Sequence, residues 1–186
     1  MLISEQKKKE NIAEYVLYMW QMEDLLRGSE LNLNKVMSKV FPDASADDEM
    51  AQKYQDWFSS LIDEMNEKGL QKEGHLATVK HYMQSLEDLH RALLTTFQDD
   101  TYKAIYRETL EHINTLKGKS ASDQIGEVEI CLTGLYGLML LKIKQAKISD
   151  ETLEAIGKIG KMIAYLAASF NKSKTGELEL PSEMKN

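Results

Sequence analysis

Cysteine is almost missing from this chain, and so is proline. The single cysteine, Cys131, excludes an intramolecular disulfide. It lies inside an apolar run, where a thiol behaves as a small hydrophobe. A lone buried cysteine suits a reducing compartment, and the chain is read as cytoplasmic. The two prolines are Pro42 and Pro181, so nothing between them must break a helix. Basic excess is lacking as well. The net charge of −7 and the pI of about 5.2 disfavour nucleic acid and anionic lipid as partners. No uncharged run approaches the ~18 residues of a membrane span. The lysines at 7, 8 and 9 are followed by Glu14, Glu23 and Asp24 with no small-residue cleavage site, so the N-terminus does not read as a signal peptide. Phosphate-binding glycine loops and the Gly-x-Ser-x-Gly elbow are absent from the sequence, which leaves nucleotide-dependent and acyl-transfer chemistry unsupported. Internal repeats and low-complexity tracts are absent too.

What remains is helical periodicity. The length sets a prior of one domain, expected over residues 1–171, with a polar tail at 172–186. The most apolar stretch runs from Ile130 to Leu141, without a charge between Glu129 and Lys142. At about 100° per residue its apolar side chains point in every direction. An all-round apolar helix is expected to be buried all round, so residues 121–146 are predicted as the central helix of the core.

The other elements follow from stripes, caps and stops. A first helix is predicted over 5–27, with Ser4 as cap and Gly28 as stop. A short one over 32–41 ends at Pro42. Ser45 with Asp48 has capping-box spacing, which starts a third helix near Ala46 that Gly69 stops. Leu76, Val79, Met83, Leu86, His90, Leu93 and Phe97 form a heptad seam on a helix over 70–97. Asp99 and Asp100 begin the next, which Gly118 ends. Ser120 with Asp123 forms another capping box for the central helix, and Ser149 caps a helix over 150–171. Gly157, Gly160, Ala164, Ala167 and Ala168 on that helix match Gly134 and Gly137, so the two are expected to form a close antiparallel pair. The fold class is therefore all-α: a single-domain antiparallel bundle of six or seven helices.

The segment Lys9 to Gly28 reads K-E-N-I-A-E-Y-V-L-Y-M-W-Q-M-E-D-L-L-R-G. Its Tyr-Met-Trp-Gln cluster resembles the N-terminal signature of a family of uncharacterised, all-helical Bacteroidetes proteins of similar length. The resemblance implies a helical fold and no mechanism.

Few residues point to chemistry. Glu87 and His90 form a Glu-x-x-His, which puts a carboxylate and an imidazole on one helix face as in di-iron bundles. Such bundles need two copies plus two further glutamates, and only one copy exists. The four histidines His75, His81, His90 and His112 do not align for a three-histidine site. No metal and no cofactor is expected. Glu23-Asp24 and similar acid pairs read as solvated faces. The first helix carries more apolar residues than one buried face holds. Leu17, Tyr18, Trp20 and Leu25 are expected near the surface as a protein contact, with Trp20 as its anchor. The expectation is a non-catalytic helical protein acting through protein contacts, with itself or another chain. The alternative is a small-molecule-binding bundle or an enzyme with a polar pocket at Glu87 and His90.

Overall fold

The computed structural model describes residues 1–43, 45, 48–119 and 125–178. Among them are eight α-helices and no strand: α1 (Ile3–Glu10), α2 (Ile12–Arg27), α3 (Leu33–Val40), α4 (Glu49–Glu67), α5 (Ala77–Thr95), α6 (Asp100–Lys117), α7 (Glu127–Ile143) and α8 (Asp150–Thr175). The all-α expectation holds. The count exceeds six or seven because the first predicted helix is two. The chain breaks at Asn11, whose Oδ1 accepts the Ala13 amide at 3.0 Å. A side chain placed there caps a new helix instead of continuing the old one. Ser4 is not a cap; it is buried inside α1. The chain divides into two compact units, Met1–Lys9 with Glu14–His81 and Glu10–Ala13 with Tyr82–Asn186.

In the first unit, Asn32 caps α3 by accepting the Lys35 amide at 3.0 Å. Asp48, rather than Ser45, caps α4, its carboxylate accepting the Met50 and Ala51 amides. The predicted start at Ala46 lies outside the described residues. Gly69, at φ 67°, ends α4 as expected, since a left-handed residue is disfavoured for anything with a Cβ. Residues 70–76 are not helical, contrary to the sequence reading. Arg27 holds them instead: its Nε donates to the Leu70 carbonyl at 3.1 Å and its Nη2 to that of Gly74. Gly74 itself sits at φ 89°, which closes off helix at that point.

In the second unit the α5 seam is buried at Leu86, His90 and Leu93. Asp99 caps α6 through the Tyr102 amide at 2.8 Å, and its other oxygen accepts the Tyr165 hydroxyl at 2.8 Å. Helices α6, α7 and α8 pack pairwise. Ser149 caps α8 as expected. That helix runs beyond 171 to Thr175 and ends at Gly176, φ 78°. The tail expected from 172 thus begins as helix, and its part from 179 onward lies outside the described residues, as do the proposed caps Ser120 and Asp123.

The largest departure concerns α7. It starts at Glu127, and only its first turns are core: Val128, Ile130, Cys131 and Leu132 are buried. Gly134 through Leu140 are half-buried, Leu141 is exposed, and Ile143 is 68% exposed. Composition shows that a helix is apolar, but not how many neighbours surround it. The glycine pairing with α8 is partly realised. A Cβ on Gly134 would lie 2.8 Å from Leu116 Cδ1 and 3.2 Å from Ile156 Cδ1. Gly137 and Gly157 have no packing neighbour within 4 Å of a Cβ among the described residues.

Candidate functional site

Three residues of spacing put Glu87 and His90 on one face of α5, and both are turned to the start of α7. Gly126, the N-cap of α7, offers no side-chain cap. The Glu87 carboxylate supplies one from another helix, its Oε2 accepting the Val128 amide at 3.0 Å. A negative charge is favoured there because the first amides of a helix lack partners and its dipole is positive. Glycine at 126 makes the approach possible: a Cβ there would fall 2.6 Å from Oε2.

His90 is buried. Its Nδ1 lies 2.6 Å from the Tyr102 hydroxyl, and its Nε2 lies 3.4 Å from Glu127 Oε2. The Tyr106 hydroxyl donates to the same oxygen at 2.8 Å. An ionised carboxylate only accepts, so the Nε2 proton faces Glu127, and Nδ1 accepts the Tyr102 proton. The His90 and Tyr106 contacts hold Glu127 below the usual carboxylate range, against its desolvation. Burial raises the Tyr102 hydroxyl, and the Tyr106 hydroxyl, also next to Glu127, is pushed up to about 12. Both phenols stay protonated donors. Burial, then the charges of Glu127 and Glu87, push the Cys131 thiol up to about 12. The polar groups of the cluster are satisfied within it, with Glu87, Glu127 and Tyr106 partly exposed and His90 and Tyr102 buried.

A second polar cluster, in the first unit, escaped the sequence reading. Glu23 is completely buried, not a solvated acid. Its Oε2 lies 2.6 Å from His75 Nδ1, and its Oε1 accepts the Leu76 amide at 2.8 Å. Only its neighbour Asp24 is exposed, paired with Arg27 at 3.2 Å. Trp20 stacks on the His75 ring with centroids 4.9 Å apart and an interplanar angle of 16°. Trp20 is 5% exposed, so its ring belongs to the core and offers no surface anchor. The residues meeting here are about fifty positions apart in the chain, and no local spacing announces them.

The other residues of the expected contact divide. Tyr18 and Leu25 line an apolar groove of about 410 Å³ with Met22, Phe41, Tyr54 and Phe58. Leu17 is half-buried and is not among the residues lining it. Met1, Ile3, Val40 and Met50, all exposed, rim the same groove. Burial, then Tyr54, raise the Tyr18 hydroxyl, which stays protonated. A second apolar groove, of about 350 Å³, runs along α7 past Gly134, Gly137, Leu138 and Leu141, flanked by Leu116 and Ile156. The Glu87–His90 cluster lines neither groove. Among the described residues no group of three or more His, Cys, Asp or Glu is placed to hold a metal ion. Nor is any of these helices long and apolar enough to cross a membrane.

A family model described as Domain of unknown function (DUF4924) matches residues 1–177. The chain belongs to this family. The match takes in the Lys9–Gly28 signature, all eight helices and the polar clusters built on them. No curated protein and no solved structure matches the chain.

Proposed function

We propose that the chain is a non-catalytic helical protein of the cytoplasm that acts through protein contacts. Its working surface in the first unit is the groove beside α2. The observation that carries this reading is the gathering of Met1, Ile3, Val40 and Met50, four of the seven exposed large hydrophobics among the described residues, around one apolar groove lined by Tyr18 and Leu25. Exposed apolar side chains scattered singly mean little, whereas a contiguous patch marks a contact. The groove has the character of a helix-receiving slot: apolar walls and a protonated tyrosine hydroxyl that gives direction. A net charge of −7 argues for protein over nucleic acid as the partner. A photo-crosslinking amino acid at Leu25 tests this in the cell of origin. A discrete protein adduct is expected, of mass equal to twice the chain or to the chain plus one partner, and absent when the probe is at exposed Gln55. Equal labelling at both positions overturns the reading.

The second reading is a small-molecule-binding bundle or an enzyme at Glu87 and His90. It draws on the meeting of those residues with Tyr102, Tyr106 and Glu127. It ranks lower because their polar atoms already satisfy one another, and burying such groups favours internal pairing. A molecule retained by the wild type in native mass spectrometry and lost from His90→Asn would reverse the order.

A further inference from the structure

The second unit carries its own apolar surface, in the half of α7 that the core leaves uncovered. Leu141, Ile143 and Leu153, the remaining three exposed large hydrophobics among the described residues, lie on the end of α7 and the start of α8. Beyond its buried first turns, the stretch from Thr133 to Ile143 is half-buried or exposed and spans about 16 Å at 1.5 Å per residue. In its middle, a Cβ added at Gly137 would meet no packing neighbour within 4 Å among the described residues, and the same holds for Gly157 on α8. Glycines lower the cost of close helix approach, yet among the described residues no side chain comes within 4 Å of where a Cβ at these two would lie.

Charge says what fits there. The first turn of α7 is acidic, with Glu127 and Glu129, and its last turn is basic at Lys142, followed by Lys144. Glu127 is engaged by His90 and Tyr106. The side chains of Glu129, Lys142 and Lys144 have no ion pair within the chain among the described residues. A helix acidic at one end, basic at the other and apolar between is complementary to itself when turned end for end. A parallel arrangement would set acid against acid and base against base. Antiparallel packing is also what a two-fold axis across one helix produces, and two-fold dimers cover the same patch on both copies.

We propose that the exposed side of α7 is a homodimer surface, on which the α7 of a second copy packs antiparallel about a two-fold axis near Gly137, which sets Glu129 of each copy opposite Lys144 of the other. The acidic first turn of each copy lies along the basic last turn of the other. This surface is independent of the α2 groove.

Sedimentation of the full chain from 1 to 100 μM (about this range, set by weak to moderate affinities) tests it. The wild type is expected to dimerise reversibly. Gly137→Arg adds a side chain where a Cβ has no packing neighbour within 4 Å among the described residues and replaces a poor helix former. It should remain folded by circular dichroism and stay monomeric throughout. Glu129→Lys should raise the dimer Kd about tenfold, and adding Lys144→Glu should restore it, since each copy then carries the reversed pair. A monomeric wild type overturns the proposal. So does a Gly137→Arg chain that dimerises like the wild type. If Leu25→Arg abolishes a dimer that Gly137→Arg leaves intact, association runs through the α2 groove, and the α7 proposal alone fails. A charge reversal that the second substitution does not rescue overturns the antiparallel arrangement.

Discussion

The carboxylate of Glu87 on α5 accepts the Val128 amide of α7 at 3.0 Å, lying where a Cβ at Gly126 would come within 2.6 Å of it. One helix thus caps another, and the capping residue and the glycine are one device. Glu87→Ala should cost about 0.5–2 kcal/mol, as for loss of an N-cap. Gly126→Ala should cost a similar amount by pushing the carboxylate away. The double variant should cost no more than either alone, because shortening the side chain at 87 leaves room for a methyl group at 126. Urea unfolding of the three variants measures the coupling. Additive losses would mean that the glycine serves some purpose other than admitting the carboxylate.

Glu127 gives stability an acid limb. Its folded pKa lies below the ordinary value of about 4.3. A depressed carboxylate adds stability above the unfolded pKa and loses it as the pH falls through the folded one. Glu127→Gln should therefore unfold more easily than the wild type at pH 7, and the difference should close in strong acid. Denaturation at several pH values measures this. A difference independent of pH would place the effect in packing.

Tyr106 gives an alkaline limb of the opposite sense. Its hydroxyl is raised to about 12, so its contribution is complete below the unfolded value of about 10 and fades as the pH climbs towards the folded one. Tyr106→Phe should flatten the loss of stability between these values. The same substitution should remove from the tyrosinate absorbance a step near pH 12, while the raised Tyr18 and Tyr102 hydroxyls stay in place.

Cys131 should report on opening of the core. Its thiol is buried and pushed up to about 12, and only the thiolate reacts readily. Thiol-specific labelling at pH 8 should be slow, and should accelerate in step with denaturant-induced unfolding. Fast labelling of the native protein would show that α7 opens locally.

Local signals in the sequence proved reliable where one element suffices to read them. The α5 seam, the Gly69 stop and the Ser149 cap depend on residues within a few positions of one another. Asp48 and Asn11 needed a choice between neighbouring candidates that spacing does not make. The sites needed more. Glu87 caps a helix that begins forty residues later, Glu23 meets His75 across about fifty, and Trp20 enters the core by stacking on that same histidine. The apolar surplus was legible on both α2 and α7, but its allocation was reversed. Composition placed α7 at the centre and Trp20 at the surface, whereas coverage by neighbouring helices decides burial, and that is a property of the packed chain.

That reversal bears on the relative cost of two changes in α7. Gly134→Leu must find room where even a Cβ comes within 2.8 Å of Leu116 and 3.2 Å of Ile156. Overpacking of this kind costs about 1–3 kcal/mol or more. Leu138 is half-buried and lines the groove, so Leu138→Ala leaves no closed cavity. It forgoes part of a side chain's burial, about 1 kcal/mol, well short of the ~2–5 kcal/mol of a core leucine. Gly134→Leu should therefore be the more destabilising of the two. The comparison belongs in the Gly137→Arg background, where self-association does not enter. Urea midpoints at constant slope give the ranking. A milder effect from Gly134→Leu would show that Leu116 and Ile156 yield, and that α6, α7 and α8 are packed less tightly around Gly134 than these distances imply.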